Sequence, residues 1–265
     1  MSATVSVVRS PGSAPLGRAG KDLRPGLGRL TAVELRKMVN TRAGFWLPIG
    51  IGLATLAVAV IASALHGGRD ATFTHVLHAT AQPAAFLLPV MGVLLICSEW
   101  SQRTTLTTFT LVPSRWRVVG AKLGASLIVS TIATAICLLV AVVSASALGH
   151  HAGGTGPLTW QVIGQSWVFL ASGMVMGLAF GAAVLVSAPA IVAYLLIPTI
   201  WDIVASSIHA LAGVARWLNS GDSLAPLTQH PMSGTEWARA LVTFAVWIGV
   251  PILIGVFRIG RGDLD

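Results

Sequence analysis

The sequence predicts an all-α integral membrane protein with six transmembrane helices behind an N-terminal interfacial amphipathic helix. Three observations predict it. Hydrophobic residues make up 54% of the 265 residues and charged residues only 10%, against roughly 25% charged in a soluble domain, and the mean hydropathy is +0.79. Six stretches supply the about 20 mostly apolar residues that cross roughly 30 Å of hydrocarbon: 45–65, 73–98, 118–148, 162–186, 190–208 and 237–257. The Lys and Arg side chains cluster in the segments that flank those stretches.

The net charge of +8 does not point to nucleic acid, because of where the charge lies. Eight basic residues (Arg9, Arg18, Lys21, Arg24, Arg29, Arg36, Lys37, Arg42) precede the first apolar stretch, and Arg103, Arg115, Arg117 and Lys122 sit between the second and third. Cytoplasmic flanks of membrane spans carry such an excess. Placing both termini in the cytoplasm puts fourteen of the seventeen Lys and Arg inside and leaves Arg69, Arg216 and Arg239 outside. The opposite orientation inverts that bias. The expected location is therefore the cell membrane, with the lipid bilayer as the first partner. Cys97 and Cys137 both fall within apolar stretches, so neither a disulfide framework nor a metal-ligand spacing is indicated.

Taken in order, residues 1–28 are rich in Pro, Gly, Ser and Arg and read as a disordered basic tail. They are not a secretory signal, since the apolar run starts only near Phe45 and is too long for a signal core. Residues 29–44 read as a cytoplasmic interfacial helix. Thr31-Ala-Val-Glu34 fits a capping box at its start, and Val33, Met38 and Val39 interleave with Arg36, Lys37 and Arg42, the pattern of a helix lying at the headgroups. Residues 45–265 form the six-span domain. The run 162–208 is too long for one crossing, and Ser187-Ala-Pro189 is the natural turn because Pro cannot continue a helix ladder.

One polar island, 99–122, interrupts this apolar chain on the cytoplasmic side. It reads EWSQRTTLTTFTLVPSRWRVVGAK: an acidic residue closing a span, a Thr-rich amphipathic stretch, Pro113, and a basic exit. Leu106 and Phe109 are three apart, the spacing of apolar anchors on a helix that docks in a groove.

In this ordered combination the chain resembles a type-2 ATP-binding-cassette (ABC) transporter permease, of the small six-span exporter kind found in drug and natural-product efflux. Glu99 and Trp100 match the start of that family's pattern and Thr104 its threonine. Phe109 matches the aromatic, Pro113 the proline, and Arg115, Arg117 and Lys122 the basic exit. Arg103 stands where the family commonly has Gly. The segment Val33-Glu34-Leu35-Arg36-Lys37, with Arg42 and Trp46, is similar to the family's opening. The resemblance implies that residues 99–117 form a coupling loop docking on a separate ABC ATPase subunit, with Glu99 anchoring its base. It also implies export, and a functional unit of two permease copies with two ATPases, the substrate path lying between the permeases. ATP and Mg would then belong to the partner. This chain contains no GxxxxGK[ST] string, so no cofactor of its own is expected and it is not read as an enzyme.

Other features carry expectations of their own. Gly173, Gly177 and Gly181 recur every four residues on one face of the fourth span, which lets helix backbones approach closely in lipid. Asp202 is the carboxylate set well inside a span, a substrate-path candidate, although at 1.5 Å per residue it lies about 20 Å along the helix from Pro189, in the outer leaflet. The seven histidines (His66, His75, His78, His150, His151, His209, His230) all fall on or near the external side. No Cys or carboxylate joins them, so no metal site is assigned. By the resemblance, 210–236 forms short re-entrant helices. Two other classes fit the sequence less well. An ion-driven secondary transporter lacks the expected paired halves, and an intramembrane enzyme lacks any His/Glu, Ser/Lys or Asp/Asp pair at depth.

Overall fold

The computed structural model describes residues 26–65, 73–101, 115–147 and 159–261. Every element among them is helical. The chain runs α1 (Leu27–Asn40), α2 (Arg42–Leu65), α3 (Phe73–Ser101), α4 (Arg115–Ala147), α5 (Trp160–Val184) and α6 (Ser187–Ser207). A single 3₁₀ turn, His209–Leu211, leads to the short helices α7 (Ala212–Leu218), α8 (Ser220–Leu224) and α9 (Pro226–Gln229). Then α10 (Gly234–Phe244) passes through a π-helical turn, Ala245–Gly249, into α11 (Val250–Arg261). Six stretches are long and apolar enough to cross a membrane: α2 to α6, and α10 joined to α11. The chain is an all-α, multi-pass membrane protein.

Helices α3 and α5 form the most extensive pair and the centre of the bundle. Their contact is made possible by absent side chains. A Cβ on Gly177 would run into the backbone carbonyl of Pro89, and one on Gly92 into that of Met174. One turn on, a Cβ at Gly181 would meet the Ile96 side chain and lie 3.2 Å from the Val93 Cα. Gly173, by contrast, faces Pro89 Cγ at 3.5 Å, an ordinary contact distance. The three glycines thus line a graded seam, tight at 177 and 181 and looser at 173. Gly255 also brings α11 close to α5, though less tightly than the seam at 177, its Cβ position 3.0 Å from the Ala182 backbone.

Several expected boundaries move, each for an identifiable reason. Helix α1 opens at Leu27, so residues 27 and 28, assigned above to the tail, are helical, while residues 1–25 lie outside the described residues. The capping box at Thr31 and Glu34 does not exist. Thr31 sits inside the helix and its Oγ1 donates to the Leu27 carbonyl at 3.0 Å, while Glu34 is engaged elsewhere. A capping box is formed instead at Ser233, whose backbone N–H donates to Glu236 Oε2 at 2.7 Å. The break before the first span falls at Thr41 rather than after residue 44. Thr41 is extended (φ −92°, ψ 145°), and its Oγ1 accepts the Gly44 N–H at 3.0 Å, the bond of an N-cap.

The turn between the fourth and fifth spans also shifts. The chain reverses at Leu185, in the left-handed region (φ 63°), and at Val186, which is extended. Pro189 lies within the first turn of α6, where a missing N–H costs nothing because it would be unpaired anyway. Arg258 closes this end of the bundle: its Nη1 donates to the Ala183 carbonyl at 2.8 Å, placing a cation at the C-terminus of α5.

Candidate coupling site

A charged group taken out of water must be paired to be tolerated. The structure meets that demand at one point on α1. Glu34 is 5% exposed and Lys122, on α4, is 3% exposed. Lys122 Nζ donates to Glu34 Oε2 at 2.8 Å and to the Leu95 carbonyl of α3 at 3.0 Å. Lys37, one turn along α1, donates to the other carboxylate oxygen, Oε1, at 2.7 Å. A single buried ammonium therefore joins three helices. Small residues let α1 come close enough: Gly124 of α4 faces Thr31, a Cβ there lying 3.0 Å from Thr31 Oγ1, and Gly120 faces Leu27. Met38 completes the buried edge of α1, packed in the main core cluster with Leu95 and Ala125.

The electrostatics of Glu34 follow from this setting. Burial by itself would raise its carboxyl. The Lys122 ammonium, hydrogen-bonded to it and backed by Lys37, outweighs burial and holds the group below the ordinary carboxylate range. A carboxyl depressed on folding contributes stability that is fully present above its unfolded value, about 4.3, and is lost as the pH falls through the folded value. Thermal unfolding of the detergent-purified chain should therefore shift to lower temperature below about pH 4.3, and part of that shift should vanish in Glu34→Gln. An acid limb of the same size in both proteins would contradict the pairing.

Position makes this pair a site. Leu95 lies four residues before Glu99, and Lys122 five residues after Arg117. The two helices that lead into and out of the polar island are tied to each other, and to α1, at its base. Of the residues expected to couple, Arg103, Thr104, Leu106, Phe109 and Pro113 lie outside the described residues. Glu99 falls in the last turn of α3 and Arg115 opens α4; their side chains too lie outside the described residues. Arg117 is half-buried on the first turns of α4. Sequence reasoning read Lys122 only as part of a basic exit. The missed signal was its setting, a Lys between Val118-Val-Gly-Ala121 and Leu123-Gly-Ala125, where a charge within a span demands a partner.

The remaining candidates lie elsewhere. Asp202, on α6, accepts hydrogen bonds from the Ser220 backbone N–H at 3.2 Å and the Ser220 hydroxyl at 3.0 Å, which fixes the short-helix segment α7–α9 to the fifth span. His78 Nδ1 is 2.6 Å from Thr228 Oγ1 and pins α9 to α3. His230 pairs with Glu236 at 3.0 Å. Among the described residues no three His, Cys, Asp or Glu converge; His66, His150 and His151 lie outside them. Segment 210–236 does form short helices, held to α10 and the π turn by bonds from Thr243 Oγ1 to the Trp217 carbonyl and from Trp247 Nε1 to the Leu218 carbonyl. Compared with known proteins, the chain matches no family model, and no curated protein matches its sequence.

Proposed function

We propose that this chain is the membrane-spanning subunit of an ATP-driven exporter of the type-2 ABC kind. It sits in the cell membrane with both termini in the cytoplasm, and acts as two copies with two separate ATPase subunits. The observation that carries the reading is the buried Glu34–Lys122–Leu95 junction at the base of the polar island. A segment that receives force from a motor has to be mounted on something stiff, and a loop hung between two independent helices would absorb the displacement. Here both flanking helices and the amphipathic helix share one ammonium. Movement of the island is then delivered to α3 and α4 together, and through the tight Gly92–Gly177 seam to α5. The placement of Lys and Arg supports the orientation. The missing phosphate-binding loop accounts for the need of a partner, in which ATP and Mg would be held.

The test is to purify the chain with its native neighbours. A protein carrying a phosphate-binding loop is expected to accompany it, and transport should stop when ATP is depleted. Transport that survives ATP depletion, with no such protein associated, would exclude the reading in favour of an ion-driven carrier.

A further inference from the structure

Between α3, α5, α6, α8 and the α10–π-turn segment lies a cavity of about 220 Å³, smaller than the roughly 300–1,000 Å³ of sites for drug-sized ligands. It lies within one copy of the chain, away from the Glu34–Lys122 junction. Its walls are mainly apolar, with five aromatic rings among them: Phe86, Phe169, Tyr194, Phe244 and Trp247. Five side chains bring hydroxyls to the lining: Ser172, Thr199, Ser220, Thr243 and the phenol of Tyr194. Phe86 and Thr199 are exposed at its edge, so a ligand can reach it from the surface of the bundle.

The hydrogen bonds decide what such a ligand must bring. A hydroxyl has one proton to give and lone pairs to receive. For the four Ser and Thr hydroxyls the proton is already committed. Ser172 donates to the Phe169 carbonyl at 2.9 Å and Thr199 to the Leu195 carbonyl at 2.6 Å. Ser220 donates to Asp202 Oδ2 at 3.0 Å, and Thr243 to the Trp217 carbonyl at 3.0 Å. The indole N–H of Trp247 is likewise committed, to the Leu218 carbonyl at 2.9 Å. What these five groups retain is acceptor capacity and ring surface. Among the described residues no Lys or Arg lines the cavity, and the Asp202 carboxylate stands one hydrogen bond behind its wall, polarising the Ser220 oxygen.

Ser and Thr oxygens whose protons are committed, electron-rich rings with Tyr194 among them, and an adjacent anion together favour a cation that donates hydrogen bonds. We propose that this cavity binds a small primary ammonium carried on an apolar, preferably aromatic, body. The ammonium would be received by the Ser220 and Thr199 oxygens on the Asp202 side, with the apolar body against the aromatic walls. This goes beyond the exporter reading and does not depend on it, because binding is measured on this chain alone. The same ammonium chemistry is offered by a free amine and by an ethanolamine lipid headgroup.

Isothermal titration of the full chain in phosphatidylglycerol nanodiscs, with empty discs subtracted, tests it using 2-phenylethylammonium as the probe. Saturable binding is expected, at least about tenfold tighter than for the neutral isostere 2-phenylethanol, a difference of about 1.4 kcal/mol. Asp202→Asn and, at the exposed edge, Thr199→Leu should each weaken the ammonium by a similar factor; Thr199→Leu should leave the unfolding temperature unchanged, while Asp202→Asn, which also loses a carboxylate acceptor for Ser220, should lower it but leave 2-phenylethanol binding intact. Loss of the probe's binding in phosphatidylethanolamine discs would assign the site to a lipid headgroup, and retained binding to a free amine. Either supports the proposal. Equal affinity for the alcohol, no saturable binding in any disc, or full affinity in both variants would overturn it.

Discussion

Lys122→Met is expected to destabilise the chain by about 3–5 kcal/mol, the cost of leaving one member of a buried ion pair without the other. Glu34 would remain buried with only the half-exposed Lys37 to answer it, and the Leu95 carbonyl would lose its cross-helix donor. The double variant Glu34→Leu with Lys122→Met removes both charges and should recover most of that loss, since replacing a whole buried pair by apolar groups is often close to neutral. The comparison separates two roles of the pair. If it serves only to hold the fold, the double variant should transport normally. If it delivers motion from the island, the double variant should be stable but poorly coupled, with ATP hydrolysis continuing at reduced transport. Chemical unfolding in mixed micelles reads the first quantity and reconstituted transport the second. A Lys122→Met cost below about 1 kcal/mol, the level of an exposed pair, would contradict the burial on which the argument rests.

Gly177→Leu is expected to have an effect at least as large. The new side chain would meet the backbone of Pro89, not the end of a flexible side chain, and backbone in the middle of a helix pair cannot step aside. Overpacking of a well-filled core typically costs about 1–3 kcal/mol and occasionally more. Here the displaced object is a whole helix, so the upper end of that range or failure to accumulate in the membrane is expected. Gly164→Leu, thirteen residues earlier on the same helix, is the control, because nothing among the described residues lies within 4 Å of its Cβ position. Gly173→Ala should also be tolerated, its nearest neighbour being at 3.5 Å. Normal accumulation and stability of Gly177→Leu would show that α3 and α5 are not seated as described.

The spans were legible because their signal is redundant. Twenty or more apolar residues in a row leave little choice of structure in lipid, where every backbone polar group must be satisfied within the segment. The i, i+4 repeat of Gly173, Gly177 and Gly181 could be read for the same reason, as a face and not as single residues. What the sequence concealed was the partner of each feature. Nothing near Gly177 names Pro89 or Gly92, which are more than eighty residues away. Glu34 matched a local capping pattern three residues after Thr31, and that local match obscured a long-range one across to α4. Both readings use the same carboxylate, and burial decided between them: a helix-start carboxylate can stay in water, whereas one that is 5% exposed must meet a cation. Pro189 misled in a similar way. A proline marks where a helix cannot be continued from before it, yet it is equally at home in the first turn of the next helix. The cavity could not have been anticipated, since its walls come from five separate elements and its character depends on where each hydroxyl proton goes.

In the proposed exporter, residues 99–122 couple this chain to an ATPase through a base clamped by Lys122. The most direct measurement is ATPase retention and ATP-driven transport in the reconstituted complex carrying Leu106→Asp or Phe109→Asp. Both variants should lose ATPase binding and transport while the chain keeps its wild-type unfolding temperature. ATPase binding and transport that persist unchanged in both would reduce the island to a connecting loop and contradict the account.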